Sequence, residues 1–233
     1  MKNTKSLGDR MKAYEQVSHY SLSPNVPVII RVDGRAFHSY AKSFEKPFDS
    51  RLIAAMEHAT IATAAQMQGF KIAYTQSDEA TFCLTDYDTI NTQGWFDYDL
   101  AKLVSISASA FTIYFNGLMR AAGAPKPAMF DARAFSVPAN EVANMFLWRA
   151  KDWKRNSINM FARSYFSHTA LKGKNQDEVL ELLKSINVDW NCLSFQKRYG
   201  TFIKAPKFAS MYNVEPVYSE IAELVDPLLE YSY

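Results

Sequence analysis

The spacing of apolar residues along the chain predicts six regular elements before residue 138. Residues 28–32 form a mainly β-branched apolar run, which is typical of a buried strand. Apolar residues then recur at helical spacing in two longer stretches, and three further short stretches have the length of strands. In order, the predicted elements are a strand at 28–32, a helix at 52–67, strands at 70–74 and 80–84, a helix at 100–115 and a strand at 129–137.

This β-α-β-β-α-β order predicts an α+β fold, the antiparallel ferredoxin-like sheet with helices packed on it. In that topology the third strand lies between the first and the second and runs antiparallel to the first. The end of the first strand and the turn that enters the third strand therefore share one edge of the sheet. Asp33 and Asp78 are far apart in sequence but are predicted to be neighbours at this edge.

Beyond residue 138 the apolar pattern becomes mainly helical. The predicted elements are a helical region at 140–166, a helix near 179–186, a strand or hairpin at 193–204 and a short final helix at 218–229. Residues 1–20 are polar and are expected to form an arm. We expect two domains, with the sheet in residues 1–137 and a mainly helical region, residues 138–233, packed on it.

Composition and charge narrow the class of protein. The formal net charge of +2 is too small to indicate a nucleic-acid partner by itself, so any basic surface must be local. Cys83 and Cys192 are too few for a disulfide framework or a zinc site, which favours reduced thiols in a cytosolic protein. Residues 1–10 are polar and do not resemble a signal peptide, and no apolar run reaches the ~18 residues of a membrane span. A cytoplasmic protein without membrane contact is expected.

Acidic side chains at the predicted shared edge suit a divalent cation. Asp33 ends a buried strand, and Gly34 after it can adopt a positive φ that opens the backbone to an anion. Because Mg²⁺ prefers carboxylates, backbone carbonyls and water, the candidate ligands are Asp33, the Gly34 carbonyl and Asp78. Glu79 joins the two aspartates as a catalytic candidate, although its side chain should point away from that of Asp78. Alternatively, Asp33-Gly34 is only a turn and Asp78-Glu79 a solvated hairpin tip.

An ordered set of short motifs lies along the chain. They are Arg31-Val32-Asp33-Gly34-Arg35-Ala36-Phe37-His38, Lys46-Pro47, Ser77-Asp78-Glu79-Ala80-Thr81-Phe82, Phe130-Asp131-Ala132-Arg133, and Trp148-Arg149 with Asp152. Over about residues 6–205, the set resembles the tRNA-His guanylyltransferase family and its bacterial, archaeal and phage relatives, the Thg1-like proteins. The resemblance implies a catalytic domain like a polymerase palm in residues 1–137, in agreement with the predicted order of elements.

The resemblance also implies a reaction. A tRNA 5′-phosphate is activated with ATP, and the 3′-hydroxyl of an incoming NTP then attacks the activated end, so that nucleotides are added in the 3′–5′ direction. Pyrophosphate is later removed from the new terminus. Two Mg²⁺ ions would assist each phosphoryl-type transfer. The implied partners are tRNA, ATP, GTP and other NTPs, and the implied assembly is a homodimer or homotetramer.

Functional residues of the family transfer onto matching positions of this sequence. The implied nucleotide-binding residues are Gly34, Arg35, Ala36, Phe37, His38, Phe44, Lys46, Asp49 and Ser77, and the implied contacts of the RNA 5′ end are Asp131, Arg133, Arg149, Asp152 and Asn156. Each position has a structural alternative. Phe37 and Phe44 could instead belong to the core, and Asp49 could be only a helix cap. His38 could be structural, Lys46 a solvated loop residue, and the arginines of the second group could pair with its aspartates.

One segment departs from the eukaryotic pattern. Members that add the extra G to tRNA-His carry a His-Ile-Asn-Asn-type segment, where this chain has Lys154-Arg155-Asn156-Ser157-Ile158. The segment looks more like the Thg1-like branch, whose members prefer template-directed repair of 5′-truncated tRNAs; strict G addition to tRNA-His is the alternative. Two other classes stay open, because palm-like sheets also serve nucleotide cyclases and RNA-binding modules. A cyclase would consume NTP without RNA, and a binding module would consume none.

Overall fold

The computed structural model describes residues 6–89 and 91–230. Residues 1–5 and 231–233, at the outer ends of the two predicted domains, and Ile90 lie outside the described residues. The strands are β1 (Val28–Gly34), β2 (Phe70–Gln76), β3 (Glu79–Leu84), β4 (Phe130–Ser136), β5 (Thr201–Lys204) and β6 (Ala209–Met211). The helices are α1 (Leu7–Gln16), α2 (Phe37–Tyr40), α3 (Ser50–Ala64), α4 (Leu100–Ala121), α5 (Ala139–Ala162), α6 (His168–Leu171), α7 (Gln176–Lys184), α8 (Phe195–Tyr199) and α9 (Tyr218–Val225).

The six strands form one antiparallel sheet in the order β4-β1-β3-β2-β5-β6. The first four strands have the predicted order, with β3 between β1 and β2. In this register Asp33 on β1 lies opposite Glu79 on β3 and opposite Asp131 on β4. Directly opposed residues share a face of a sheet, so these three carboxylates form a row across three strands. The predicted α+β fold is confirmed.

Helices cover both faces of the sheet, which explains the continuous apolar run of β1. Val28, Ile30 and Val32 pack into the apolar cluster with α3 and α4. Ile29 points to the other face and packs into the cluster with α5 and α9. Because strand side chains alternate, the two charged residues that follow, Arg31 and Asp33, lie on the α5 face. The reactive side chains of β1 therefore lie on the sheet face that α5 covers.

Side-chain caps begin the two long helices, α3 and α4, that pack on one face of the sheet. Asp49 precedes α3 and accepts a hydrogen bond from the Arg51 backbone N–H at 2.9 Å. Asp99 precedes α4 and accepts one from the Lys102 backbone N–H, also at 2.9 Å. Each cap satisfies a backbone donor that would otherwise be unpaired in the first turn. In the described part of the chain, no helix is long and apolar enough to cross a membrane.

Two segments differ from the sequence-based prediction. The expected polar arm contains α1, a helix with a capping box between Ser6 and Asp9 and no buried residue. Part of the expected strand or hairpin at 193–204 is α8, because Phe195 and Tyr199 are one helical turn apart and stack together, with Tyr199 also against Trp190. Only after this helix does the chain extend into β5, which pairs with β2. The sheet thus continues across residue 137, and the division into two domains stays a prediction.

Candidate active site

The end of β1 and the turn between β2 and β3 meet at one edge of the sheet. The Gly34 backbone N–H donates to the Asp78 backbone carbonyl at 3.0 Å. A Cβ atom at position 34 would lie 2.6 Å from Cδ2 of Phe37 and 3.0 Å from Cβ of Asp78. Gly34 does not have the positive φ that the sequence allowed. Glycine is instead needed here because only it permits this close approach without a shift of its neighbours. The strand order brings Asp33 and Asp78 together as the topology predicted.

Asp78 carries an unfavourable negative charge in this structure. Its pKa is raised from 3.8 to about 6, mainly by burial and further by the charge of Asp33, against a lowering hydrogen bond from Ser77. The Ser77 hydroxyl donates to the Asp78 carboxylate at 2.9 Å. Among the residues that the structure describes, neither Asp33 nor Asp78 forms an ion pair with a basic side chain. Two neighbouring carboxylates without a cationic partner are suited to bind a divalent cation.

The oxygen ligands at this edge suit Mg²⁺, which binds through one or two protein carboxylates, better than a metal whose ligands all come from the protein. Within residues 6–89 and 91–230, no group of three or more His, Cys, Asp or Glu side chains is arranged to hold a metal ion. The protein would contribute two carboxylates, from Asp33 and Asp78, and the Gly34 carbonyl. Mg²⁺ characteristically completes its shell with water and substrate phosphate, so the residues present are compatible with it.

Glu79 differs from Asp78 because arginine neutralises it. Arg149 Nε and Nη2 donate to the two Glu79 carboxylate oxygens, both at 2.7 Å, and Glu79 is only 7% exposed. Arg31 Nε lies 3.9 Å from Glu79 Oε2, and Arg149 Nη2 lies 3.5 Å from Asp152 Oδ2. The pair ties α5 to the sheet edge beside Asp33. A catalytic role of Glu79 stays a prediction, and its observed contacts are those of a buried ion pair.

The residues predicted at the RNA 5′ end fall into two groups. Asp131 and Arg133 lie on β4, both exposed, with 3.9 Å between Arg133 Nη2 and Asp131 Oδ1. Arg149, Asp152 and Asn156 lie on successive turns of α5, and Asn156 Nδ2 lies 3.4 Å from Asp152 Oδ2. Asp131 is opposite Asp33 in the sheet, and Arg149 contacts Glu79. Both groups therefore lie next to Asp33 and Asp78, which are called the acid pair below.

A cleft opens next to the acid pair. Four of the residues predicted to bind nucleotide, Phe37, Lys46, Asp49 and Ser77, line it. Small-molecule sites commonly combine mainly apolar walls with a few polar groups, as this cleft does. The cleft is therefore a candidate site for a nucleoside, and it lies beside carboxylates that could handle the phosphates.

Several of these predicted residues also have structural partners. The Phe37 ring packs against Phe115 and Phe130 in the core while it lines the cleft. Asp49 caps α3 and is paired with Arg51, which holds the pKa of its carboxyl well below the usual value. Lys46 Nζ donates to the Ala41 carbonyl at 2.8 Å.

Other predicted nucleotide contacts do not line the cleft. The Phe44 ring is buried between Tyr40 and the guanidinium of Arg51. Arg35 and His38 are exposed on the chain that leaves β1, and Ala36 between them adopts a left-handed conformation with φ 51°. This turn lies beside the acid pair and outside the cleft. In that position it could contact the phosphates of a bound nucleotide. The roles of these residues stay predictions.

Some lining residues gave no usable local signal in the sequence. Gln76, Trp153 and Met160 line the cleft together with Gln196 and Thr201. Thr201 reaches it because β5 pairs with β2, where it lies opposite Thr75. Arg31 was also missed, although it precedes Asp33 by two residues and therefore had to share its face.

Comparison with known proteins identifies relatives over most of the chain. The family model described as tRNAHis guanylyltransferase matches residues 8–138. A solved bacterial tRNA(His) guanylyltransferase-like protein in complex with ATP is 39% identical, with a TM-score of 0.91 over 96% of this chain and 99% of that one. A second such structure, in complex with GTP, is 35% identical with a TM-score of 0.83 over the same shares. The probable tRNA(His) guanylyltransferase of Drosophila melanogaster is 30% identical over 80% of this chain, which spans 65% of that protein's length.

Proposed function

Because the chain belongs to the tRNAHis guanylyltransferase family of nucleotidyltransferases, we propose that it adds nucleotides to the 5′ end of tRNA in the 3′–5′ direction. The observation that carries the proposal is that Asp33 and Asp78, which form no ion pair with a basic side chain among the described residues, lie beside a cleft lined by four residues of the nucleotide-binding motifs. The segment Lys154-Arg155-Asn156-Ser157-Ile158, which lacks the eukaryotic pattern, favours template-directed repair of 5′-truncated tRNA. Strict addition of one G to tRNA-His is the alternative within the same chemistry.

The proposed reaction has two transfers. In the first, an oxygen of the tRNA 5′-phosphate attacks the α-phosphorus of ATP, and pyrophosphate leaves. In the second, the 3′-hydroxyl oxygen of an incoming NTP attacks the 5′-terminal phosphorus of the tRNA, its proton is lost, and AMP leaves. The new 5′ end carries a triphosphate, from which pyrophosphate is removed. In such transfers, positioning and electrostatic stabilisation supply most of the catalysis.

The acid pair would hold the metal ions. Asp33, the Gly34 carbonyl and Asp78 provide oxygen ligands for Mg²⁺, and bound Mg²⁺ would neutralise the charge that develops on phosphoryl oxygens. Asp78, whose pKa is about 6, would be largely ionised at pH 7 and more so with a cation beside it. Gly34, by admitting Asp78 so closely, keeps the two carboxylates at one point of the edge.

The cleft would bind the nucleoside of the NTP. Ser77 lies at its mouth, next to Asp78, so the phosphates of a nucleotide in the cleft would reach the acid pair. Lys46 and the exposed Arg35 carry positive charge on the loop after β1, where they could meet the triphosphate. Gln76 and Gln196 supply amide groups to the cleft wall. Gln196 Nε2 already donates to Glu57 Oε2 at 2.7 Å, so its amide oxygen and the Gln76 amide are the groups suited to hydrogen-bond a base.

A 5′-extension assay tests the proposal. The protein is incubated with Mg²⁺, ATP and all four NTPs, and full-length tRNA-His is compared with a tRNA that lacks its first 5′ nucleotide. Extension of the truncated tRNA, matched to the opposing base, supports the repair function, whereas a single G added only to tRNA-His supports the alternative. Asp33→Ala and Asp78→Ala should each lower the rate at least ~100-fold, and Glu223→Gln, a change at an exposed position of α9, should not.

Two outcomes would contradict the proposal. NTP consumption without RNA, and without extension of either tRNA, would indicate a cyclase. RNA binding without NTP consumption would indicate a binding module. Full activity of Asp33→Ala or of Asp78→Ala would overturn the assignment of the metal ligands.

A further inference from the structure

Trp148 is exposed in a way that packing does not explain. Its side chain on α5 is 54% exposed, whereas Trp95, Trp153 and Trp190 are 6%, 4% and 2% exposed. It belongs to none of the three apolar clusters formed by the described residues. A large apolar ring left in water costs hydrophobic stabilisation, so this position calls for another reason.

Two guanidinium groups hold the indole in place. The Arg149 Cζ lies 4.7 Å from the ring centroid and the Arg31 Cζ lies 5.7 Å from it, both within cation–π distance. Arg149 is itself fixed by its two hydrogen bonds to Glu79. The ring is therefore positioned by groups that are anchored to the sheet, and it remains more than half exposed.

The location of Trp148 relates it to the acid pair. Its contacts run through Arg149 to Glu79, which lies directly opposite Asp33 in the sheet. Arg31 lies opposite Arg133, so three arginines share this side of the molecule with the exposed ring. Arg31 and Arg149 are engaged with Glu79, whereas Arg133 is exposed. An exposed guanidinium on the same side as a flat apolar ring is complementary to a nucleic-acid end, which offers phosphates and a base at once.

The base of the NTP is not the expected partner of this ring. Trp148 does not line the cleft beside Ser77; the tryptophan in the wall of that cleft is Trp153. A reaction that joins two nucleotides needs a second position, for the RNA end that receives the addition. Trp148 lies on the α5 side of the acid pair, with Arg149, where that end is expected.

We propose that Trp148 is a stacking platform for the terminal base at the 5′ end of the RNA. The proposal rests on the proposed function and adds a base contact to it. Every base offers a π face, so a stacking contact tolerates any terminal nucleotide. Trp148 is thereby a positioning residue, which orients the 5′ end relative to Asp33 and Asp78 without touching the reacting atoms.

Fluorescence of the unaltered protein tests the contact directly. Of the four tryptophans in the chain, Trp148 is by far the most exposed, so it should dominate quenching by acrylamide. A 5′-truncated tRNA should quench the exposed emission and protect it from acrylamide. The same tRNA with an abasic first nucleotide should bind through its phosphates and leave the emission accessible. Equal quenching by both RNAs, or no quenching by either at saturation, would overturn the proposal. The proposal would also be overturned if, without RNA, the emission were quenched as the protein concentration rises, because the ring would then be covered by a second copy of the chain.

Variants separate this role from general stability. Trp148→Ala should raise the KM for tRNA at least about fivefold, at the low end of base–aromatic stacking, with the KM for NTP unchanged. Trp148→Phe should restore it to within about twofold of the unaltered protein. The matched control is Tyr165→Ala, which removes a ring that is 48% exposed beyond the end of α5 and should leave both constants unchanged.

The outcomes distinguish this inference from the proposed function. If the unaltered protein extends truncated tRNA but Trp148→Ala keeps its KM for tRNA, the platform is wrong and the function stands. If the KM for NTP rises instead, the ring serves the nucleotide and the inference is also wrong. If the unaltered protein neither binds nor extends tRNA, both fail.

Discussion

Replacing Asp78 by Asn should make the metal-free protein more stable at neutral pH. The ionised carboxylate of Asp78 is partly buried beside Asp33, and both the burial and the neighbouring charge raise its pKa. The amide of Asn has nearly the same shape but no charge. Its introduction therefore removes an unfavourable burial and a repulsion while it leaves the packing in place.

The size of the effect follows from the pKa. The native value of about 6 compares with 3.8 for an ordinary aspartate, and one pKa unit corresponds to about 1.4 kcal/mol. The charge of Asp78 thus lowers the free energy of unfolding by up to roughly 3 kcal/mol, and side-chain relaxation should leave about 1–3 kcal/mol.

The sign of the pH dependence is also determined. Because the native pKa is raised, the native state binds the proton more tightly than the unfolded state does. The contribution of protonated Asp78 to the free energy of unfolding is fully present below pH 3.8 and is lost as the pH rises to about 6. The advantage of Asp78→Asn should therefore be absent near pH 4 and fully present at pH 7.5.

Urea unfolding in EDTA at pH 4.5, 6 and 7.5 measures this difference. Asp78→Asn should exceed the unaltered protein by about 1–3 kcal/mol at pH 7.5 and by much less at pH 4.5. Glu223→Gln serves as the control for a change of acid to amide at an exposed site. Replacing EDTA by Mg²⁺ should stabilise the unaltered protein and not Asp78→Asn. An Asp78→Asn protein that is equally or less stable at pH 7.5 would show that the charge of Asp78 does not destabilise the native state.

Two further predictions concern the stability of residues that surround the site. Arg149→Met should lower the free energy of unfolding by about 3–5 kcal/mol in urea titrations, because the buried Glu79 carboxylate loses its two-hydrogen-bond partner. Gly200→Ala should cost at least ~2 kcal/mol in the same assay. Gly200 has φ 79°, and an added Cβ would lie 2.6 Å from the Tyr74 hydroxyl oxygen.

Matched variants control both changes. Lys151→Met removes an exposed charge from the same helix as Arg149 and should stay within about 0.5 kcal/mol of the unaltered protein. Gly123 has the same φ of 79° with open space around it, so Gly123→Ala should show the backbone strain alone, about 1 kcal/mol. Equal losses in Gly123→Ala and Gly200→Ala would rule out the clash with Tyr74.

Prediction from the chain was accurate where a local pattern had one physical interpretation. The apolar run at 28–32 could only be a buried strand, and β1 is found at Val28–Gly34. The order of the elements then determined the strand order, and the family and palm-like fold that the motifs implied are confirmed. It failed at 195–199, where Phe195 and Tyr199 have the helical spacing of four but the segment is only five residues long, too short for its period to stand out within 193–204.

For the candidate site, the sequence placed the acids but not their partners. Asp33 and Asp78 follow from strand order and the shared edge. The pairing of Glu79 with Arg149 joins residues 70 positions apart and depends on how α5 crosses the sheet. The walls of the cleft likewise depend on β5, which brings Thr201 opposite Thr75.

The order of the central elements could be predicted from local apolar patterns, and the ferredoxin-like topology then brought the two carboxylates to one edge, while the ordered motifs indicated the family. Which charges are neutralised, with Glu79 paired and Asp78 not, could be seen only in the folded protein. Tertiary structure also decided which aromatic rings are buried and that Trp148 is exposed. Burial and ion pairing depend on contacts between distant segments, and no local pattern encodes these.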